Sequence, residues 1–102
     1  MKVLLTGDEF SAQDAFRWNF VQEIVPAGQE RARAIEIAER IADQAPLAVR
    51  ATLENARLAL REGWPAAQST VAATQQRLYN SEDGKEGVES FVEKRAARFT
   101  GR

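Results

Sequence analysis

Pro46–Arg61 reads PLAVRATLENARLALR, and this stretch decides the fold class. Pro46 stands where a helix begins, because the first turn has no use for the missing N–H and the ring presets a helical φ. Val49, Leu53, Ala56 and Leu60 recur every three or four residues on one face, and Leu47, Ala51 and Leu58 fall on a second. A helix that is apolar on two faces is expected to be covered on more than one side.

Upstream, from Gln29 to Ala45, the residues Ala34, Ile35, Ala38, Ile41 and Ala42 repeat at helical spacing, surrounded by Glu30, Arg31, Arg33, Glu36, Glu39, Arg40 and Asp43. The alternating charges support i,i+4 pairs of about 0.2–0.5 kcal/mol each and read as a solvated face. Downstream, Gly63-Trp64-Pro65 interrupts the pattern, and Ala67, Val71 and Leu78 mark a weaker helix that ends at Tyr79-Asn80-Ser81. Ser81 is placed to cap a last helix whose apolar positions are Val88, Phe91, Val92, the stem of Arg95, and Phe99. Gly84 and Gly87 weaken the start of that helix by about 1 kcal/mol each relative to alanine.

Toward the front, Leu4 and Leu5 look like the last turn of an element closed by Thr6-Gly7. Ser11 followed by Asp14 forms a capping box for a short helix through about Trp18, and Asn19 tolerates the left-handed stop. Phe20–Val25, FVQEIV, is the one predicted strand, closed by Pro26. The sum is a mainly α chain of four to five helices with one short strand. A lone strand cannot make a sheet, so its partners lie across an oligomer or in a segment outside this one.

Composition narrows the chemistry. The 102 residues carry 14 basic and 15 acidic side chains, mixed along the chain with a net charge of -1, so no basic stripe addresses a nucleic acid. With no cysteine and no histidine, disulfides, thiolate nucleophiles, Ser-His arrangements and the usual transition-metal ligands are all excluded. No apolar run approaches membrane-spanning length, and Met1–Asp8 is too short in its apolar part for a signal peptide, so the expectation is a cytoplasmic protein without a targeting segment.

Three passages in order then carry a resemblance. LLTGDEFSAQDA at residues 4–15 with FVQEIVP at 20–26, PLAVRAT at 46–52, and SEDGKEGVESFVEKR at 81–95 resemble corresponding passages of the enoyl-CoA hydratase/isomerase (crotonase) family, over essentially the whole chain. Asn19 stands where that family prefers glycine, Leu53 where a lysine is common, and Gly84 and Ala97 where alanine and proline are frequent. The resemblance implies the C-terminal helical region of a crotonase-like fold, with the catalytic spiral core absent from this segment. Residues 1–27 would be a remnant of that core and 28–102 a helical association domain.

What the resemblance implies about function has two levels. The parent reaction is hydration or isomerisation of enoyl-CoA thioesters, with the CoA thioester as substrate and no tightly bound cofactor. This chain would supply subunit association in a trimer or hexamer and part of the CoA contact, and would be inactive alone, with no catalytic residue and no metal ligand of its own. Phe91 and Lys94 are the candidate CoA-binding residues, reaching a neighbouring subunit with the aromatic near the adenine and the ammonium near the phosphates. The pairing is chemically sound, since an aromatic face stacks on a purine and lysine is a flexible point charge for phosphate. Judged from the residues alone, Phe91 reads as core with Val88 and Val92, and Lys94 as a surface charge. Glu54, Glu62, Glu82 and Glu86 read as solvated rather than acid–base groups, and Trp18 and Trp64 as covers over hydrophobic seams. The alternative role is a stand-alone helical oligomerisation module without catalysis.

Overall fold

The computed structural model describes residues 2–102 and contains six helices. They are α1 (Lys2–Thr6), α2 (Ala12–Arg17), α3 (Glu30–Ala42), α4 (Pro46–Glu62), α5 (Trp64–Tyr79) and α6 (Glu82–Glu93). The mainly helical class read from periodicity is borne out. The chain divides into two compact units, one through Glu36 and one of Ile37–Arg102, so the division falls inside α3.

In the first unit, Gly7 ends α1 in a left-handed conformation at φ 70°, donating its N–H to the Val3 carbonyl at 2.9 Å. Ser11 caps α2 as expected: its Oγ accepts from Asp14 N–H at 3.0 Å, and the Asp14 carboxylate accepts from Ser11 N–H at 3.4 Å. These hydrogen bonds from Ser11 hold the Asp14 carboxyl below the usual carboxylate range, with Arg17 a smaller contribution. Asn19 adopts φ 57°, the left-handed stop that its side chain tolerates. Phe10 packs its ring against Trp18 at 5.6 Å and against Phe20 edge-on at 6.0 Å.

The expected strand at Phe20–Val25 is not formed. A strand needs the N–H and C=O groups of a neighbour, and the described residues contain no second strand to supply them. The N–H groups of Phe20 and Val21 instead donate to the Ala15 carbonyl at 2.8 and 3.4 Å, folding the segment's start back on α2. Its other end is tied locally: Glu23 accepts from Arg33 Nε at 2.8 Å, and Arg33 Nη1 also reaches Glu36 at 2.7 Å.

In the second unit α4 and α5 form a hairpin about Gly63. At φ 87° this residue closes α4 by donating to the Ala59 carbonyl at 3.0 Å, and it precedes Trp64-Pro65 in the first turn of α5. The helices approach closely because the side chains between them are small: Ala51 and Ala67 are buried, the latter 1% exposed. Asn55 reaches across the seam, its Nδ2 donating to the Ala67 carbonyl at 2.8 Å and to Thr70 Oγ1 at 3.0 Å.

The α5–α6 turn is tight. Ser81 Oγ donates to the Leu78 carbonyl at 2.6 Å and accepts from Gly84 N–H at 3.0 Å, the predicted cap. Gly84 is more than a weak helix former here, because a Cβ at that position would collide with the Leu78 carbonyl oxygen and approach that of Tyr79 to 2.9 Å. The helix predicted to continue to Phe99 stops at Glu93. Lys94 turns left-handed at φ 53°, its N–H and that of Arg95 bond to the carbonyls of Phe91 and Ser90, and residues 95–102 fold back along α6.

Candidate functional site

The last turn of α6 carries the residues singled out as a binding pair. Phe91 is 85% exposed, and its neighbours Val88 and Val92 are exposed too, so the alternative in which these three form a core is excluded within this chain. Phe91 and Val88 border an open hollow of about 570 Å³ whose other walls include Leu78, Tyr79, Gly87 and Phe99. Lys94 is exposed just beyond. Because it caps the helix in a left-handed conformation, the i,i+3 spacing that puts residues 91 and 94 on one helical face does not extend to it.

Next to this surface lies a polar clamp in which two α6 carboxylates accept from groups 9 to 18 residues further along the chain. Asp83, 3% exposed, accepts from the N–H groups of Thr100 at 2.6 Å and Gly101 at 2.8 Å. Its own N–H donates to the Arg102 carbonyl at 3.0 Å. One turn on, Glu86 takes both guanidinium Nη groups of Arg95, the Nη2 at 2.9 Å, and accepts from Arg98 N–H at 2.7 Å. Arg95 Nε is held by Glu93. Glu86 is therefore not the solvated carboxylate expected from its sequence surroundings, and Arg95 contributes its guanidinium rather than only its stem.

The hydrogen bond from Arg95 and then that from Arg98 N–H lower the Glu86 pKa from 4.5 to about 2. The same pairing, led by Glu86, raises that of Arg95. A depressed carboxylate stabilises the folded state fully above its unfolded pKa, and the contribution is lost as pH falls through the folded value. The clamp is thus expected to hold above pH 4.5 and to release between about pH 4.5 and 2. Acid titration followed by amide exchange at Arg98 checks this: protection should fall in that window, and Glu86→Gln should diminish the pH dependence.

The remaining candidates are scattered. Glu54, Glu62 and Glu82 are exposed, and Glu82 lies 3.4 Å from Arg102 Nε. Trp18 is 53% and Trp64 70% exposed; the former meets Phe10, and the latter edges a hollow along α4 and α5 with Ala51, Asn55 and Leu78. Among the described residues no cluster of three or more acidic side chains is arranged to hold a metal, and no helix is long and apolar enough to cross a membrane. Asp83 and Glu86 were not singled out as tail anchors by sequence reasoning, and no local pattern could have done so, because each reads as an ordinary first-turn or surface acid of a capped helix.

The family model described as Enoyl-CoA hydratase/isomerase matches residues 1–102. The carnitinyl-CoA dehydratase of Proteus mirabilis (strain HI4320) is 37% identical over 105 residues, 99% of this chain and 40% of that protein. A solved structure from Mycobacterium abscessus, described as a probable enoyl-CoA hydratase/isomerase, superposes with a TM-score of 0.96 at 50% identity, covering 100% of this chain and 40% of its own. The enoyl-CoA hydratase of Bacillus anthracis superposes at 0.90 with 30% identity, covering 99% of this chain and 39% of its own. The chain spans about 40% of the length of these relatives, consistent with a helical C-terminal portion of the fold.

Proposed function

Because the chain belongs to the enoyl-CoA hydratase/isomerase family, whose members act on CoA thioesters, we propose that it supplies subunit association and part of the CoA contact to a protein that hydrates or isomerises enoyl-CoA thioesters. Residues 28–102 are the association part and 1–27 a remnant of the catalytic core. The assembly is a trimer or hexamer, and the compartment is the cytoplasm.

The observation that carries the reading is the end of α6: an aromatic ring 85% exposed, with an exposed lysine three residues on. A ring costs free energy when left in water and gains it by stacking on a purine, and an ammonium on the turn that ends the same helix complements the phosphates of a CoA. The chain alone is inactive in this reading. Proton transfer to and from an acyl-CoA needs carboxylates poised over the substrate and donors aimed at the developing enolate. The described carboxylates of α4 are exposed, and Asp83 and Glu86 are committed to the tail.

Calorimetric titration with acetoacetyl-CoA, run beside a crotonyl-CoA hydration assay, tests the proposal. Expected are binding without turnover, and binding weakened roughly ten-fold or more by Lys94→Ala, the loss of a charge-assisted contact of about 1.5–3 kcal/mol. No binding by the unmodified chain would remove the CoA contact, and turnover would overturn the inactivity.

A further inference from the structure

The left-handed turn at Lys94 has no glycine or asparagine to ease it. A non-glycine residue at φ 53° carries a strain of about 1 kcal/mol or more, which persists only where the surroundings hold it. The surroundings here are specific. On one side, Lys94 and Arg95 N–H groups are held by the carbonyls of Phe91 and Ser90 at 3.3 and 3.0 Å. On the other, the chain leaving the turn is caught at once by Glu86 through the Arg95 guanidinium and the Arg98 N–H, and further along by Asp83 through Thr100 and Gly101.

The fold-back also seats an aromatic ring. Phe99 comes over Gly87, where an added Cβ would lie 3.8 Å from its ring edge, and so lines the same hollow as Phe91 and Val88. Three of the features that shape the end of α6 therefore depend on one pair of carboxylates: the direction in which Lys94 leaves the helix, the register of the tail, and the Phe99 wall beside Phe91.

We propose that Asp83 and Glu86 are positioning residues, which clamp residues 95–102 along α6 so that Phe91 and Lys94 are presented in one conformation to an acyl-CoA. The inference rests on the CoA contact proposed above and adds the device that fixes its geometry. In this role both carboxylates act through the tail they hold. Released, the tail frees the Lys94 turn to relax, and the fraction of molecules with the lysine and the phenyl ring correctly disposed falls. Apparent affinity falls in proportion to that fraction.

The test is Glu86→Gln in the full chain, which keeps the size of the side chain and leaves Phe91 and Lys94 untouched. Acetoacetyl-CoA titration is read beside two NMR signals: amide exchange from Arg95 to Gly101, and the ring-current shift that Phe99 imposes on the Gly87 α-protons. If nine in ten molecules lose the clamp, binding weakens about ten-fold. The expected result is that loss of affinity together with faster tail exchange and a diminished Gly87 shift, while the far-ultraviolet helix signal stays at the unmodified level. Partial recovery by Glu86→Asp, which restores the charge one carbon short, would support the same conclusion.

Unchanged affinity in a variant whose tail has demonstrably loosened would overturn the positioning role and leave the CoA contact standing. A tail that stays ordered without the Glu86 charge would overturn the part of Glu86 in the clamp, and one that stays ordered in Asp83→Ala as well would overturn the clamp itself. Absence of binding by the unmodified chain would instead overturn the CoA contact, and the positioning inference with it.

Discussion

Asp83→Ala lowers the stability of the Ile37–Arg102 unit by about 3 kcal/mol, the scale of one or two lost hydrogen bonds to a buried charged acceptor. The residue is 3% exposed and is the acceptor for two consecutive backbone N–H groups, those of Thr100 and Gly101. Alanine leaves both donors without that partner at a part-buried site, so the tail must stay docked with poorer hydrogen bonds or detach. Detachment would also expose Phe99 and remove the bond between Asp83 N–H and the Arg102 carbonyl. A loss of this size in a unit of this length lowers Tm by about 12–24 °C, measurable by thermal unfolding at neutral pH. Asp83→Asn, which retains one acceptor oxygen, should fall between. A Tm within a degree or two of the unmodified chain would show that the tail contributes nothing to the fold.

Ala67→Leu has a comparable effect from a different cause. Ala67 is 1% exposed at the α4–α5 seam, and its carbonyl accepts from Asn55 of the facing helix at 2.8 Å. Three added carbons cannot enter that seam without separating the helices, which strains or breaks the Asn55 bonds to Ala67 and Thr70. Overpacking of this kind costs about 1–3 kcal/mol. The matching control is Leu60→Ala: with Leu60 88% exposed, its truncation should change stability by no more than about 0.5 kcal/mol in the isolated chain. Equal effects at the two positions would mean that the hairpin does not pack as described.

The exposed apolar residues explain why so little of the chain is core. Only Ala15, Ala51 and Ala67 are fully buried among the described hydrophobic residues, whereas Leu60, Phe91, Val92 and Leu4 are each more than 70% exposed. Leu60 belongs to the expected apolar face of α4, so the helical period was legible although the described residues do not supply its covering. A hydrophobic stripe specifies that something should cover it, not which chain does. The same reasoning accounts for FVQEIV at residues 20–25. Its composition favours an extended backbone, but strand formation depends on a neighbour that no local pattern can provide.

By itself the sequence determined the local punctuation: the Ser11 and Ser81 caps, the left-handed Asn19, the start of α4 at Pro46 and the break at Gly63, all interactions that close within a few residues. It also carried the family, through three passages in order. Tertiary structure alone decided where α6 ends and what its carboxylates do. The helix could continue past Glu93 by propensity, and it stops because Lys94 turns and the chain beyond is caught by Glu86 and Asp83. Those contacts join groups 9 to 18 residues apart, whose energies exist only once the chain has doubled back. Gly84 follows the same rule: read along the chain it weakens a helix, and in the folded unit it is the residue that lets α6 approach the carbonyl end of α5.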